Sequence, residues 1–309
     1  MIDPAPAAVE TEGLGRDYDE VCALAGLELL VARGALVGLL GPNGAGKTTA
    51  MLLLGTLLSP TRGCARIFGH DVVRERRQVR RRLGLLFQET SVDGLLTVEE
   101  NLLFAARLAG LGGRIARTAV ADAAERLGLL DRLRQPARQL SGGWRRLVDV
   151  ARATLHHPDL LILDEPSVGL DPEHRERIWS ILASLRRDHG TTILFSTHYL
   201  AEAEPADRVL LLSRGSVVAE GAPDALRAEF GEEVAEIEGS GGERLARALR
   251  GLGSATVVLR TDRGYRVGLR GPREPVTELA GRAPDIERFA LRRSTLEDVY
   301  FARTQETAL

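Results

Sequence analysis

Continuous apolar runs at residues 36–40 and 160–163 lack the alternation of a half-wet strand, and predict strands of the fully buried kind found in parallel sheets. Residues 83–87 and 192–197 also read as strands. Residues 48–58 are apolar without an internal proline and predict a helix. A second helix is predicted over 145–155, where Leu147, Val148, Ala151 and Leu155 fall near one face. Thr97 and Glu100 have the spacing of a capping box, which marks another helix start. Strands interleaved with helices give an α/β class for this part of the chain. Past Gly221-Ala222-Pro223 the composition shifts. Short strands are expected at 234–237, 255–259, 265–269 and 286–291, and helices at 243–252 and 296–304, punctuated by Gly239, Gly241, Gly242, Gly251 and Gly253. The expected organisation is a main domain over 1–225 and a small α+β domain over 226–309.

Charge patterning singles out one position. Lys47 is the one lysine, and every other of the 41 lysine-plus-arginine positions is arginine. It stands in Gly41-Pro42-Asn43-Gly44-Ala45-Gly46-Lys47-Thr48-Thr49, between the predicted strand 36–40 and the predicted helix 48–58. This is the spacing of a P-loop for ATP or GTP. Gly41, Gly44 and Gly46 allow close backbone approach, and a helix N-terminus supplies unpaired N–H donors to an anion. A compact ammonium can curl over a cradled phosphate where a planar guanidinium is too broad. In this reading Lys47 contacts the β- and γ-phosphates, and the Thr48 hydroxyl ligates Mg²⁺.

The strand 160–163 runs into Asp164-Glu165-Pro166, which sets two carboxylates at the carboxyl edge of the sheet beside the phosphate site. Asp164 is expected to hold the Mg²⁺ shell through water, and Glu165 to orient and deprotonate the attacking water. Ser141-Gly142-Gly143 opens the 145–155 helix and forms a second anion site, separate from the P-loop. Gln88 and His198 each follow a predicted strand.

Composition narrows the setting. With 309 residues and 44% hydrophobic content the chain can bury one large core or two. A formal charge of −2 gives no electrostatic case for nucleic acid. Cys22 and Cys64 are too isolated for a disulfide framework or a zinc site, which suggests a reducing compartment. Charged residues break every apolar stretch before the ~18–20 residues that span a bilayer. Met1-Ile2-Asp3-Pro4 has neither the basic head nor the apolar core of a signal peptide, so a cytoplasmic location is expected. Residues 4–8 form a short Ala/Pro-rich tail, and the arginine-rich run 74–82 reads as a solvated helix face rather than a headgroup contact.

The order of these motifs over residues 9 to 225, namely P-loop, Gln88, Leu140-Ser141-Gly142-Gly143, the strand ending in Asp164-Glu165, Gly169-Leu170-Asp171 and His198, resembles the nucleotide-binding subunit of an ATP-binding cassette (ABC) transporter. The resemblance implies a P-loop NTPase ABC cassette: a RecA-like, mostly parallel core sheet, an antiparallel β subdomain, and a helical signature subdomain at about 95–155. It implies a lid glutamine that senses Mg²⁺ and the membrane partner at Gln88, a switch histidine on the γ-phosphate at His198, and an adenine-stacking aromatic at Tyr18. It further implies that Ser141, Gly142, Gly143 and Asp171 reach the nucleotide site of a second copy in a homodimer, and that a separately encoded permease docks on the helical insert. The subunit would then sit at the cytoplasmic face of the membrane.

The closing run Ser294-Thr295-Leu296-Glu297-Asp298-Val299-Tyr300-Phe301 resembles the tail of ATPase subunits of the ABC-2 exporter group, which includes the daunorubicin-resistance type. The alternatives are a soluble ABC ATPase acting on ribosome or DNA, an ABC subunit of a non-export system, and a free-standing P-loop kinase or GTPase. The last leaves the Ser141 turn and His198 without a role. Two positions depart from the family pattern. Trp144 stands where glutamine is usual, and Ser167-Val168 replaces a more usual Thr-X before Gly169.

Overall fold

The computed structural model describes residues 6–239, 242–283 and 285–306. The Met1–Pro4 stretch, the start of the Ala/Pro tail and Gly241 lie outside the described residues.

Strand β1 (Val9–Tyr18) turns through Asp19 into β2 (Val21–Val31), with Val9 opposite Val31 and Tyr18 opposite Val21. The continuous apolar run forms β3 (Leu36–Leu40), buried at all positions, and leads through the glycine-rich loop to α1 (Lys47–Leu54). β4 (Arg62–Ile67) pairs antiparallel with β1, and β5 (His70–Asp71) with β4, completing a four-stranded sheet of order β2-β1-β4-β5. Next come α2 (Arg76–Arg82) and β6 (Leu83–Leu86).

Three helices follow, α3 (Val98–Leu108), α4 (Gly113–Arg126) and α5 (Gly142–Thr154). Thr97 and Glu100 close the expected capping box at the start of α3, each side chain bonding the other's backbone N–H. β7 (Leu160–Asp164), α6 (Pro172–His189) and β8 (Thr192–Thr197) complete the βα alternation.

β3, β8, β7 and β6 lie side by side and parallel, with Leu40 opposite Thr197, Asp164 opposite Ser196 and Leu86 opposite Leu163. Parallel pairing sends four carboxyl ends to one edge. The loops that begin at Gly41, Phe87, Glu165 and His198 therefore open together, which is where α/β sheets bind ligands. These elements belong to a first unit, Met1–His198 with Arg214–Ser216.

A second unit comprises Tyr199–Ser213 and Val217–Leu309. After β9 (Arg208–Ser213), β10 (Ser216–Gly221) and α7 (Pro223–Phe230), it builds an antiparallel sheet from β11 (Glu233–Gly239), β12 (Ala255–Thr261), β13 (Gly264–Leu269) and β14 (Ile286–Arg293), in the order β12-β13-β11-β14. Between these strands lie α8 (Gly242–Arg250) and α9 (Glu274–Arg282), and α10 (Leu296–Glu306) ends the described chain. The core of this unit contains Ile237, Leu249, Tyr265, Val267 and Val276.

The closing motif has a structural role within this unit. Asp298, fully buried, accepts hydrogen bonds from the Thr295 amide and hydroxyl and from both terminal nitrogens of Arg292, which also reaches Glu236 on β11. The motif caps its own helix and ties it to the sheet.

Three differences from the sequence reading have local causes. The helix expected over 48–58 ends at Leu54, because Gly55 caps it and Thr56 takes a φ of 61°, which turns the chain. α7 and α9 carry a proline in their first turn, where the ring suits a helix start, and periodicity alone did not reveal them. The arginine-rich run is a helix with mostly exposed charges, yet Val79 is buried and Arg80 donates to Thr56.

Candidate functional site

The glycine-rich loop folds around its lysine. Lys47 is 5% exposed, and its Nζ donates to the carbonyls of Gly41 at 2.7 Å and Pro42 at 3.2 Å. Gly46 caps α1 with a φ of 102°, and a Cβ there would stand 2.6 Å from the Ala23 carbonyl oxygen, so both conformation and space require glycine. Gly44, with a φ of 81°, faces open space. Pro42, Asn43, Gly44 and Thr48 are exposed, Thr49 is half-buried and Ala45 is buried. The loop's outer side is thus free to take an anion while its inner side is packed.

The acidic pair lies against this loop. Glu165 Oε1 is 3.3 Å from Lys47 Nζ, and Glu165 Oε2 is 2.9 Å from Nδ1 of His198. Glu165 itself has a φ of 50°, a left-handed conformation that costs a non-glycine residue energy and is concentrated at functional sites. Its amide is held by the hydroxyl and the carbonyl of Ser196. The same Ser196 hydroxyl donates to Asp164, which is 1% exposed. Carboxylates this deep persist as ions only when paired or hydrogen-bonded. Here Lys47 and His198 partner the Glu165 carboxylate, and the Ser196 hydroxyl partners Asp164.

Gln88 follows β6 at the same sheet edge and is exposed. Thr48, Gln88 and Asp164 offer hydroxyl, amide and carboxylate oxygens, the donor chemistry that suits a hard divalent cation. Tyr18 stands at the exposed end of β1 in the separate antiparallel sheet, with the Arg16 guanidinium 5.0 Å from its ring.

The remaining expected residues form a second group. Ser141 caps α5, its hydroxyl accepting from the Trp144 amide, and Gly142 is exposed with open space beside it. Gly143 packs so closely on His174 that a Cβ would come within 2.6 Å of the ring. Asp171 caps α6 and accepts from the His174 amide, while Nδ1 of the His174 ring lies 2.8 Å from the carboxylate. The His174 amide, and next its ring, hold the Asp171 carboxyl below the usual carboxylate range. Trp144 meets His174 edge-on at 5.3 Å, and Arg132 stacks over the indole at 3.6 Å. The unusual tryptophan is therefore engaged within its own subunit, and the Ser141 turn and Asp171 are linked through His174.

Comparison with known proteins agrees with this geometry. Residues 24–168 match the ABC transporter family model. The chain is 40% identical to a daunorubicin resistance ATP-binding protein of Streptomyces coeruleorubidus, covering 97% of this chain and 96% of that one. The chain belongs to the ATP-binding subunits of ABC transporters. It is also 36% identical to a Nod factor export ATP-binding protein of Burkholderia thailandensis, covering 96% of this chain and 97% of that one. A dimeric bacterial ABC transporter cassette superposes with a TM-score of 0.65 at 26% identity, covering 69% of this chain and 98% of that one. The fold is the ABC cassette, and as a member of this family the chain is an ATP-binding ATPase subunit of the exporter type. Among the described residues no helix is long and apolar enough to cross a membrane.

Three residues escaped the sequence reading of this ABC subunit. Ser196 is a polar residue at the end of an apolar strand, two before His198, and that interruption is the signal that could have found it. Arg146 and Asp149 lie buried on α5, and both are charged residues among Leu147, Val148, Val150 and Ala151. They read there as ordinary surface charges of an amphipathic helix.

Proposed function

We propose that this subunit closes as a homodimer around two Mg-ATP and drives a separately encoded ABC-2 type permease from the cytoplasmic face of the membrane, with residues 1–225 as the nucleotide-binding domain and 226–309 as an accessory domain. The observation that carries the reading is Glu165 held between Lys47 and His198. In it, the backbone of Gly41–Thr49 and Lys47 hold the phosphates, Glu165 takes a proton from the attacking water, and His198 sits over the γ-phosphate. Tyr18 stacks on adenine. When bound, Mg²⁺ supplies Lewis-acid stabilisation of the phosphate charge, and Thr48, Gln88 and Asp164 are the residues that would hold it, partly through water.

Ser141, Gly142, Gly143 and Asp171 serve the partner subunit's nucleotide. To swing a dimer from mostly open to mostly closed, a ligand must favour the closed state by about 5.5 kcal/mol. A few charge-assisted hydrogen bonds of ~1.5–3 kcal/mol each supply that difference, and loss of the γ-phosphate removes it. Support for permease docking comes from the helical segment, where Leu95, Phe104, Leu108 and Ile115 are exposed apolar side chains. The names of the relatives, one conferring drug resistance and one exporting Nod factor, support export as the direction.

The test is Glu165→Gln. ATP binding is retained and steady-state hydrolysis falls by about a hundredfold or more. A variant that turns over normally removes Glu165 from the mechanism.

A further inference from the structure

Helix α5 carries two buried charges one turn apart, and neither points to solvent. Arg146, 7% exposed, donates to four backbone carbonyls: Nε to Pro166 at 2.9 Å, Nη2 to Glu165 at 2.8 Å and to Asp164 at 3.3 Å, and Nη1 to Phe87. Asp149, 3% exposed, accepts from the Thr90 hydroxyl at 2.6 Å, the Ser91 hydroxyl at 3.0 Å and the Ser91 amide at 3.2 Å. Arg152 Nη1 lies 3.4 Å from the same carboxylate and 2.7 Å from the Ser91 hydroxyl.

The two side chains therefore grip the segment around Gln88 on both sides, at Phe87 before it and at Thr90 and Ser91 after it. Arg146 at the same time holds the three consecutive carbonyls 164–166 that frame Glu165 in its strained left-handed conformation. Burying a guanidinium is costly, and burial lowers the basicity of Arg146, while the carboxylates of Asp149 and Asp164 favour its charge. A planar fork with fixed donor directions satisfies several carbonyls at once, which an ammonium cannot do without leaving some unmet.

We infer that Arg146 and Asp149 are positioning residues that make α5 a two-pronged connector between the Gln88 loop and the Glu165 turn. The same helix begins at Ser141. A displacement of its N-terminus or of the Gln88 loop reaches Glu165 through these hydrogen bonds, without any contact of Arg146 or Asp149 with nucleotide. The inference rests on the roles proposed above for Glu165 and Gln88.

The experiment uses the purified full-length chain with Mg-ATP, and compares Arg146→Lys and Asp149→Asn with the unchanged protein and with Glu165→Gln. Thermal unfolding is recorded for each. Displacing a reacting group by a fraction of an ångström costs rate rather than affinity, so Arg146→Lys is expected to keep KM within about threefold and to lose about tenfold or more in kcat. Asp149→Asn keeps an acceptor oxygen and loses the charge, and gives the same split to a smaller degree. Should Arg146→Lys fail to fold, Asp149→Asn carries the test by the same ratio. Unchanged kcat, or a loss of kcat that matches a rise in KM or the lost folded fraction, overturns the inference. If Glu165→Gln is inactive while both α5 variants behave as the unchanged protein, the connector alone falls. If Glu165→Gln hydrolyses normally, the reading of the site falls and takes the connector with it.

Discussion

Nδ1 of His198 lies 2.9 Å from Oε2 of Glu165. The contact joins the end of β8 to the turn after β7, and it occupies the carboxylate oxygen that does not face Lys47. His198 therefore orients Glu165 in this structure, in addition to any role it takes on the γ-phosphate. His198→Ala is expected to lower the hydrolysis rate by about a hundredfold while nucleotide affinity changes by about threefold or less. Single-turnover hydrolysis, read beside titration with a fluorescent nucleotide, separates the two effects. A variant that loses affinity and keeps its rate constant contradicts the orienting role.

The second unit makes a prediction about acid stability. Burial raises the Asp298 carboxyl, but the hydrogen bonds from Arg292 and the Thr295 amide outweigh it and hold the group below the usual carboxylate range. A carboxyl whose folded pKa is depressed adds stability above its unfolded pKa of about 4, and that contribution is lost as pH falls through the folded value. Asp298→Asn removes the charge from a buried acceptor of Arg292, which keeps Glu236 as its second partner, a change that costs about 1–3 kcal/mol. Chemical denaturation at neutral pH and again near the lower limit of folding checks the sign. The gap between variant and parent should narrow as pH falls, and a gap that widens contradicts the assignment.

Trp144 supplies an optical prediction. The chain has two tryptophans, and the other, Trp179, packs edge-on against the core residue Phe195 at 4.9 Å. Trp144 lies between Arg132 and His174, beside the Ser141 turn that is proposed to meet the partner's nucleotide. Adding ATP to Glu165→Gln should change tryptophan emission, and the change should vanish in the double variant with Trp144→Phe. An equal change in both variants would place the signal at Trp179.

Much of this site was legible in the chain because its chemistry depends on local order. Gly41 to Thr49 can be read from spacing, since a phosphate cradle needs glycine where the backbone must bend and an amine where the charge sits. Asp164 and Glu165 follow a fully apolar strand, and the parallel register that sets them beside the loop follows from the βα alternation. The connector on α5 was hidden for the opposite reason. Arg146 and Asp149 act on carbonyls and hydroxyls far away in sequence, at separations of 59 for Phe87, 58 for Ser91 and 18 to 20 for the carbonyls of 164–166. Nothing in a helical stretch containing Arg145, Arg146, Asp149 and Arg152 says which charges turn inward. Ser196 was missed similarly, because its hydroxyl matters only once β7 and β8 are paired. In the second unit the strands were visible as short apolar runs between glycines, whereas α7 and α9 carry proline in their first turn and look like breaks until the helix start is seen.

Solution mass of the Glu165→Gln chain at saturating Mg-ATP, measured by sedimentation or light scattering, bears most directly on the central claim that two copies close on nucleotide. Twice the monomer mass with ATP, reverting to the monomer when nucleotide is removed, is the predicted result. A chain that binds ATP and stays monomeric, alone and in the presence of its membrane partner, would contradict it.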